Sequence, residues 1–167
     1  MPRRGTFYAV TPAEAERLLG LVGDDQAVAR EGLDLYSIER QKSHCIAAVD
    51  KAWDVIHRCL TDGTLRGMGH GTTPLAWAVL GGKSLYGGSD FIVCYVMPQQ
   101  VAQVAPALDE IVGAWFAQRY WQLENNGYRG PINNEELEYA WDYFTNMRNL
   151  YTRAAANSYA VIFVTDQ

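Results

Sequence analysis

The sequence has no apolar stretch near the ~18 residues that a membrane helix requires. Its first residues, Met1-Pro2-Arg3-Arg4-Gly5-Thr6-Phe7, also lack the apolar run of a signal peptide. Cysteine is scarce. Cys45, Cys59 and Cys94 are an odd number set far apart, which argues against a disulfide framework and makes them small core residues. Together these absences predict a soluble cytoplasmic protein. Positive charge is short too: 14 Lys and Arg against 19 Asp and Glu leave a net charge of -5. Such a field repels phosphate backbones and anionic lipid, and no basic patch is segregated beyond Arg3-Arg4, so neither nucleic acid nor membrane is an expected partner. Chelating spacing is missing as well. His57 and Cys59 point to different sides of a helix, and His44 beside Cys45 is a poor pair of ligands, so no metal or cofactor is expected.

Gly81-Gly82-Lys83-Ser84 looks like the end of a phosphate-binding loop, but the full pattern needs a glycine where this chain has Trp77. It also needs a strand before and a helix after, and here that order is reversed. A glycine pair closing a helix is the better account.

What is present is a globular composition: 167 residues, 49% hydrophobic, with 10 tyrosines and 5 tryptophans, enough for one core and one domain spanning residues 1–167. Thr6 to Val10 reads as a strand. Thr11, Pro12 and Glu14 then form a capping box with proline in the first helical position, opening a helix that runs to Gly23. Asp24 to Arg40 shows no clean polar face and reads as irregular with one short extended piece. From Val49 to Leu60 the chain reads as a helix with Val49, Trp53, Ile56 and Leu60 on one apolar stripe. A glycine-rich loop with Gly63, Gly67, Gly69, His70 and Gly71 follows, then a short helix from Thr73-Pro74 to Leu80.

Phe91 to Met97 is apolar on both alternating faces, as for a central strand covered on both sides. Pro98 opens a helix through Trp115, which Pro106 should kink or divide. Glu124 to Pro131 is a loop. The last helix begins at Asn133 or Asn134, with Leu137, Ala140, Trp141, Phe144, Met147, Tyr151 and Ala154 as its core stripe, and Tyr159 to Thr165 closes as a second wholly apolar strand. The predicted fold is one α+β domain, with a small mainly antiparallel or mixed sheet of about three strands packed with several helices.

Two residue sets are candidates for function. Asp50, Asp54 and His57 share a polar stripe on the predicted helix, where a carboxylate could orient an imidazole acting as general base. The bland alternative is a cap, a surface pair and a packed histidine. On the last helix, Glu135, Tyr139, Asp142 and Tyr143 lie opposite the core stripe, and the segment from Asn133 to Met147 has four carboxylates and no basic residue. Rings interleaved with carboxylates suit binding of a basic protein, although an exposed charged face by itself means only solvation.

Gly5-Thr6-Phe7-Tyr8-Ala9-Val10-Thr11-Pro12-Ala13-Glu14, Asp50-Lys51-Ala52-Trp53 with His57, Pro74-Leu75 through Gly81-Gly82, and the closing helix and strand resemble, in this order, the bacterial YfbM-like family of uncharacterised proteins. The resemblance spans essentially the whole chain, departing at Pro106 and in the glycine-rich stretch Thr64 to Thr72. It implies a compact α+β fold and transfers no catalytic residue. The functional expectation is a non-catalytic cytoplasmic protein-binding domain, of the immunity type that neutralises a basic toxin domain. The alternative is a small hydrolase using His57 with Asp50 or Asp54.

Overall fold

The computed structural model describes residues 4–66 and 71–166. Arg3 and, in the glycine-rich loop, Gly67, Gly69 and His70 lie outside the described residues. Among those described, the chain runs β1 (Gly5–Val10), α1 (Pro12–Leu19), α2 (Asp25–Asp34), α3 (Ile38–Lys42), β2 (Ile46–Asp50), α4 (Ala52–Leu60), a 3-10 turn at Leu75–Trp77 and β3 (Lys83–Ser84). It continues through β4 (Phe91–Val96), α5 (Pro98–Asp109), α6 (Gly113–Trp121), a second 3-10 turn at Gln122–Asn126, α7 (Asn134–Ala156) and β5 (Ala160–Asp166).

The strands form one sheet in the order β2-β1-β5-β4-β3, and every neighbouring pair is antiparallel. Five strands replace the three expected. β2 was hidden because Ile46-Ala47-Ala48-Val49-Asp50 is half alanine and polar, with little strand signal, and β3 has only two residues. The two wholly apolar runs became interior strands. Their alternate side chains feed two cores, one on each face.

On one face, Phe7, Cys94, Val161 and Phe163 pack with Trp53 of α4, Leu108 of α5, Phe116 of α6 and Phe144 and Tyr151 of α7. The rings of Phe7 and Phe163 pack tilted with centroids 4.7 Å apart, and the Trp53 ring lies 5.7 Å from that of Phe163. On the other face, Tyr8, Val93, Ile162 and Val164 meet Leu18 of α1 and Val28 of α2.

Thr11 caps α1 as expected: its amide donates to Glu14 Oε2 at 2.8 Å, and Thr11 Oγ1 accepts from the Glu14 amide at 3.3 Å. The helix stops at Leu19, earlier than the glycine suggested, with Gly23 left-handed in the turn that follows. Most of Asp24 to Arg40 is helical, in α2 and α3 with a break at Leu35 to Ser37, contrary to the irregular reading. Asp24 caps α2 through the Ala27 amide and Ser37 caps α3 through the Arg40 amide. Periodicity missed both helices because Leu33 in α2 and Ile38 in α3 are 56% and 63% exposed, so that large apolar side chains do not mark the buried face of either helix. Pro106 sits exposed inside α5, and the long predicted helix is divided beyond it, between Asp109 and Gly113.

Arg40 ties this side together. Its Nε donates to Leu35 O at 2.8 Å, Nη1 to Ala9 O at 2.7 Å and Nη2 to Glu14 Oε1 at 2.6 Å. Burial pushes the Glu14 carboxyl up, but its bonds with Arg40 and Thr11 and the Arg40 charge outweigh burial, so its pKa is lowered. Arg40→Ala is expected to cost about 2 kcal/mol in urea denaturation at neutral pH. A lowered folded pKa gives stability that is present above the ordinary glutamate range and lost as pH falls through the folded value, so the gap between wild type and variant should narrow on acidification.

Candidate functional site

The predicted stripe of Asp50, Asp54 and His57 does not exist as a helical face. Asp50 ends β2 with φ 44°, and α4 begins only at Ala52. Val49 reached the apolar stripe by coincidence, because it is buried from the sheet and not from the helix. Asp50 Oδ2 accepts from Tyr139 Oη at 2.9 Å, and Oδ1 lies 3.3 Å from Arg4 Nε. Asp54 is 7% exposed and paired with Arg58 one turn on, Oδ1 to Nε at 2.6 Å. His57 is buried at 1% exposure, and its carbonyl accepts from Thr61 Oγ1 at 2.7 Å.

A cleft of about 720 Å³ opens between the start of α4, the loop Gly127 to Pro131 and the start of α7, with Asp54 and Tyr139 both in its lining. The residues predicted for catalysis and for binding therefore partly converge. His57 lines neither this cleft nor the two others described below. The Asp54–Arg58 pair is part of the lining. Arg58 also donates to Gly63 O at 3.3 Å and sits 5.5 Å from the Tyr128 ring centroid. Lys51, Arg129 and Glu136 add charge to a wall that Val55, Pro131 and the two tyrosines otherwise keep apolar.

Burial, with the Asp54 charge next, pushes the Tyr128 phenol up to about 12. Burial and then the hydrogen bond and charge of Asp50 do the same to Tyr139, up to about 12. Both phenols are neutral donors at physiological pH, and neither is poised as a base. Sequence reasoning missed Arg58 and Tyr128. The i,i+4 spacing of Asp54 and Arg58 was a readable signal, whereas the approach of Tyr128 depends on the left-handed Gly127 turn.

α7 starts where expected, with Asn133 Oδ1 accepting from the Glu136 amide at 2.9 Å. Glu135, Glu138 and Asp142 are exposed at i, i+3 and i+7, making an acidic ridge. Tyr139 and Tyr143 lie half-buried on one side, ring centroids 4.8 Å apart at 74°. A shallow apolar cleft of about 180 Å³, lined by Phe116, Leu137, Glu138 and Trp141, borders the other side.

Cys59 and Cys94 are buried, and burial pushes both thiols up to about 12, which leaves them unreactive at neutral pH. Among the described residues no group of three or more His, Cys, Asp or Glu side chains is placed to hold a metal, and no helix is long and apolar enough to cross a membrane.

An antiparallel five-stranded sheet between two helical layers, with a charged cleft at the start of its longest helix, defines a mixed α/β class without an assigned chemistry. The family described as Domain of unknown function (DUF1877) matches residues 1–164, and the chain belongs to it. Among solved structures it is similar to YfbM from Escherichia coli, a protein of unknown function, at 20% identity and a TM-score of 0.65 over 97% of this chain and 99% of that one. That likeness establishes the fold. No curated protein matches the sequence.

Proposed function

We propose that this chain is a non-catalytic protein-binding domain that uses the first turns of α7, with their bordering clefts, to hold a partner with a basic face. The observation that carries this reading is the ridge of Glu135, Glu138 and Asp142. Among the described residues none of the three has an ion-pair partner, whereas Glu14, Glu31, Asp50 and Asp54 each have one. Unpaired carboxylates beside half-buried rings provide both steering charge and anchor area. A basic toxin domain, masked as an immunity protein masks its target, is the kind of partner such a face would serve. The alternative, a small hydrolase, would have to bring His57, which is buried, to the cleft that Asp54 lines.

The test is affinity capture from the source organism's lysate, with a Glu135→Lys/Glu138→Lys variant as control and titration of whatever protein is retained. A basic protein held stoichiometrically by the wild type, and bound about tenfold or more weakly by the variant, is the expected result. Equal retention by both baits would remove the ridge as the binding surface.

A further inference from the structure

β2 is an edge strand, and the direction of its free hydrogen-bonding groups can be read from its pairing. Ala9 N donates to Cys45 O at 2.9 Å, and Phe7 opposes Ala47, while Tyr8 opposes Ile46 and Thr6 opposes Ala48. In an antiparallel ladder bonded and non-bonded pairs alternate, so Ile46 and Ala48 turn their amides and carbonyls away from β1. Among the described residues no other strand pairs with that side. Ile46 to Val49 has neither charge nor proline, the usual devices that blunt an edge. Along the same edge lies an open groove of about 380 Å³, lined by His44, Ala48, Asn146, Asn149 and Arg153 among others.

We propose that a second copy of this chain occupies this edge, the two β2 strands pairing antiparallel about a two-fold axis at Ala47. Each Ile46 then exchanges backbone hydrogen bonds with Ala48 of the second copy, and the sheet continues across the dimer. The register irregularity opposite Gly5 and Thr6 confines the ladder to these residues.

Two features favour a second copy over a foreign strand. First, α7 packs over β1 and β2. With strands about 4.8 Å apart, extension through β2 sets the two α7 helices roughly 10 Å from each other, a normal packing distance. Second, α7 is self-complementary under that rotation. β2 and α7 run in opposite directions, since Asp50 meets Tyr139 while the other end of β2 lies by Arg153. The axis therefore passes near Asn146 and Asn149 and brings Arg153 of one copy to the turn of Asp142 and Tyr143 in the other. Asp142 lies on the same helical stripe as Asn146, Asn149 and Arg153, so the rotation brings the carboxylate of each copy to the guanidinium of the other.

Light scattering on size-separated protein over a concentration series tests this. The wild type should show a dimer mass. Ala48→Pro removes the outward amide without touching the β1 ladder, and should abolish the dimer while circular dichroism stays native. Arg153→Glu, at an exposed position, should weaken association by about tenfold. Adding Asp142→Arg to it should restore association, because within one chain the two positions lie three helical turns apart and cannot meet. A monomeric wild type at every concentration, or a dimer indifferent to both Ala48→Pro and Arg153→Glu, would overturn the proposal. The dimer shares Asp142 with the proposed binding face but uses neither Glu135 nor Glu138, so the Glu135→Lys/Glu138→Lys variant should remain dimeric.

Discussion

Arg58→Met is expected to destabilise the fold by about 3–5 kcal/mol, because it leaves a buried carboxylate without its cation. Asp54 is 7% exposed, and Arg58 Nε at 2.6 Å is its ion-pair partner. The guanidinium also reaches Gly63 O and the Tyr128 ring, so one substitution loosens α4, the turn after it and the far wall of the cleft together. Changing Asp54→Asn in the same chain should recover the larger part of the loss, since a neutral amide is cheaper to bury than an unpaired carboxylate. Urea denaturation of the two single variants and the double variant measures this as a cycle. A loss below about 1 kcal/mol for Arg58→Met would mean that water reaches Asp54 and that the pair behaves as a surface one.

Gly81→Ala is the second large effect. An added Cβ there would overlap the Ala76 carbonyl and lie 2.9 Å from Trp77 Cα, both of them backbone atoms that cannot rotate away. The turn at Leu75–Trp77 would have to move, and the buried hydrogen bond from Tyr151 Oη to Ala78 O at 2.8 Å moves with it. The expected cost is about 3 kcal/mol or more, read as a drop in urea midpoint. Gly127→Ala supplies the contrast. Its φ is 76° but nothing lies within 4 Å of the added carbon, so only backbone strain of about 1 kcal/mol is expected. If the two variants unfold together, crowding at Gly81 is not what selects glycine there.

These two glycines also mark what could be read from the chain. Gly81-Gly82 was read as a pair closing a helix, but neither residue is left-handed and both sit against backbone. Close approach of distant backbones leaves no local pattern. Local signals fared better: the Thr11 capping box, the Asn133 cap and the two apolar strands all stand where the sequence put them. β2 was lost because its pairing with β1 is a tertiary event and its alanines say little on their own. With it went the placement of Asp50, so a three-residue stripe became two separate contacts, one to Tyr139 and one to Arg58. Tyr139, chosen for a binding face, proved to join that face to the cleft.

The place of β5 has a kinetic consequence. It lies between β1 and β4, so the sheet consists of two unconnected pairs, β1 with β2 and β3 with β4, until residues near Val161 and Phe163 arrive. Neither pair alone can bury Phe7 against Phe163 or Cys94 against Val161. Joining Gly5 to Thr165 closes nearly the whole chain into a loop, and such long-range closure slows folding. During synthesis the helices can form and the N-terminal half can collapse, but the cooperative core must wait for β5, and until then the β1 and β4 edges that it covers stand open.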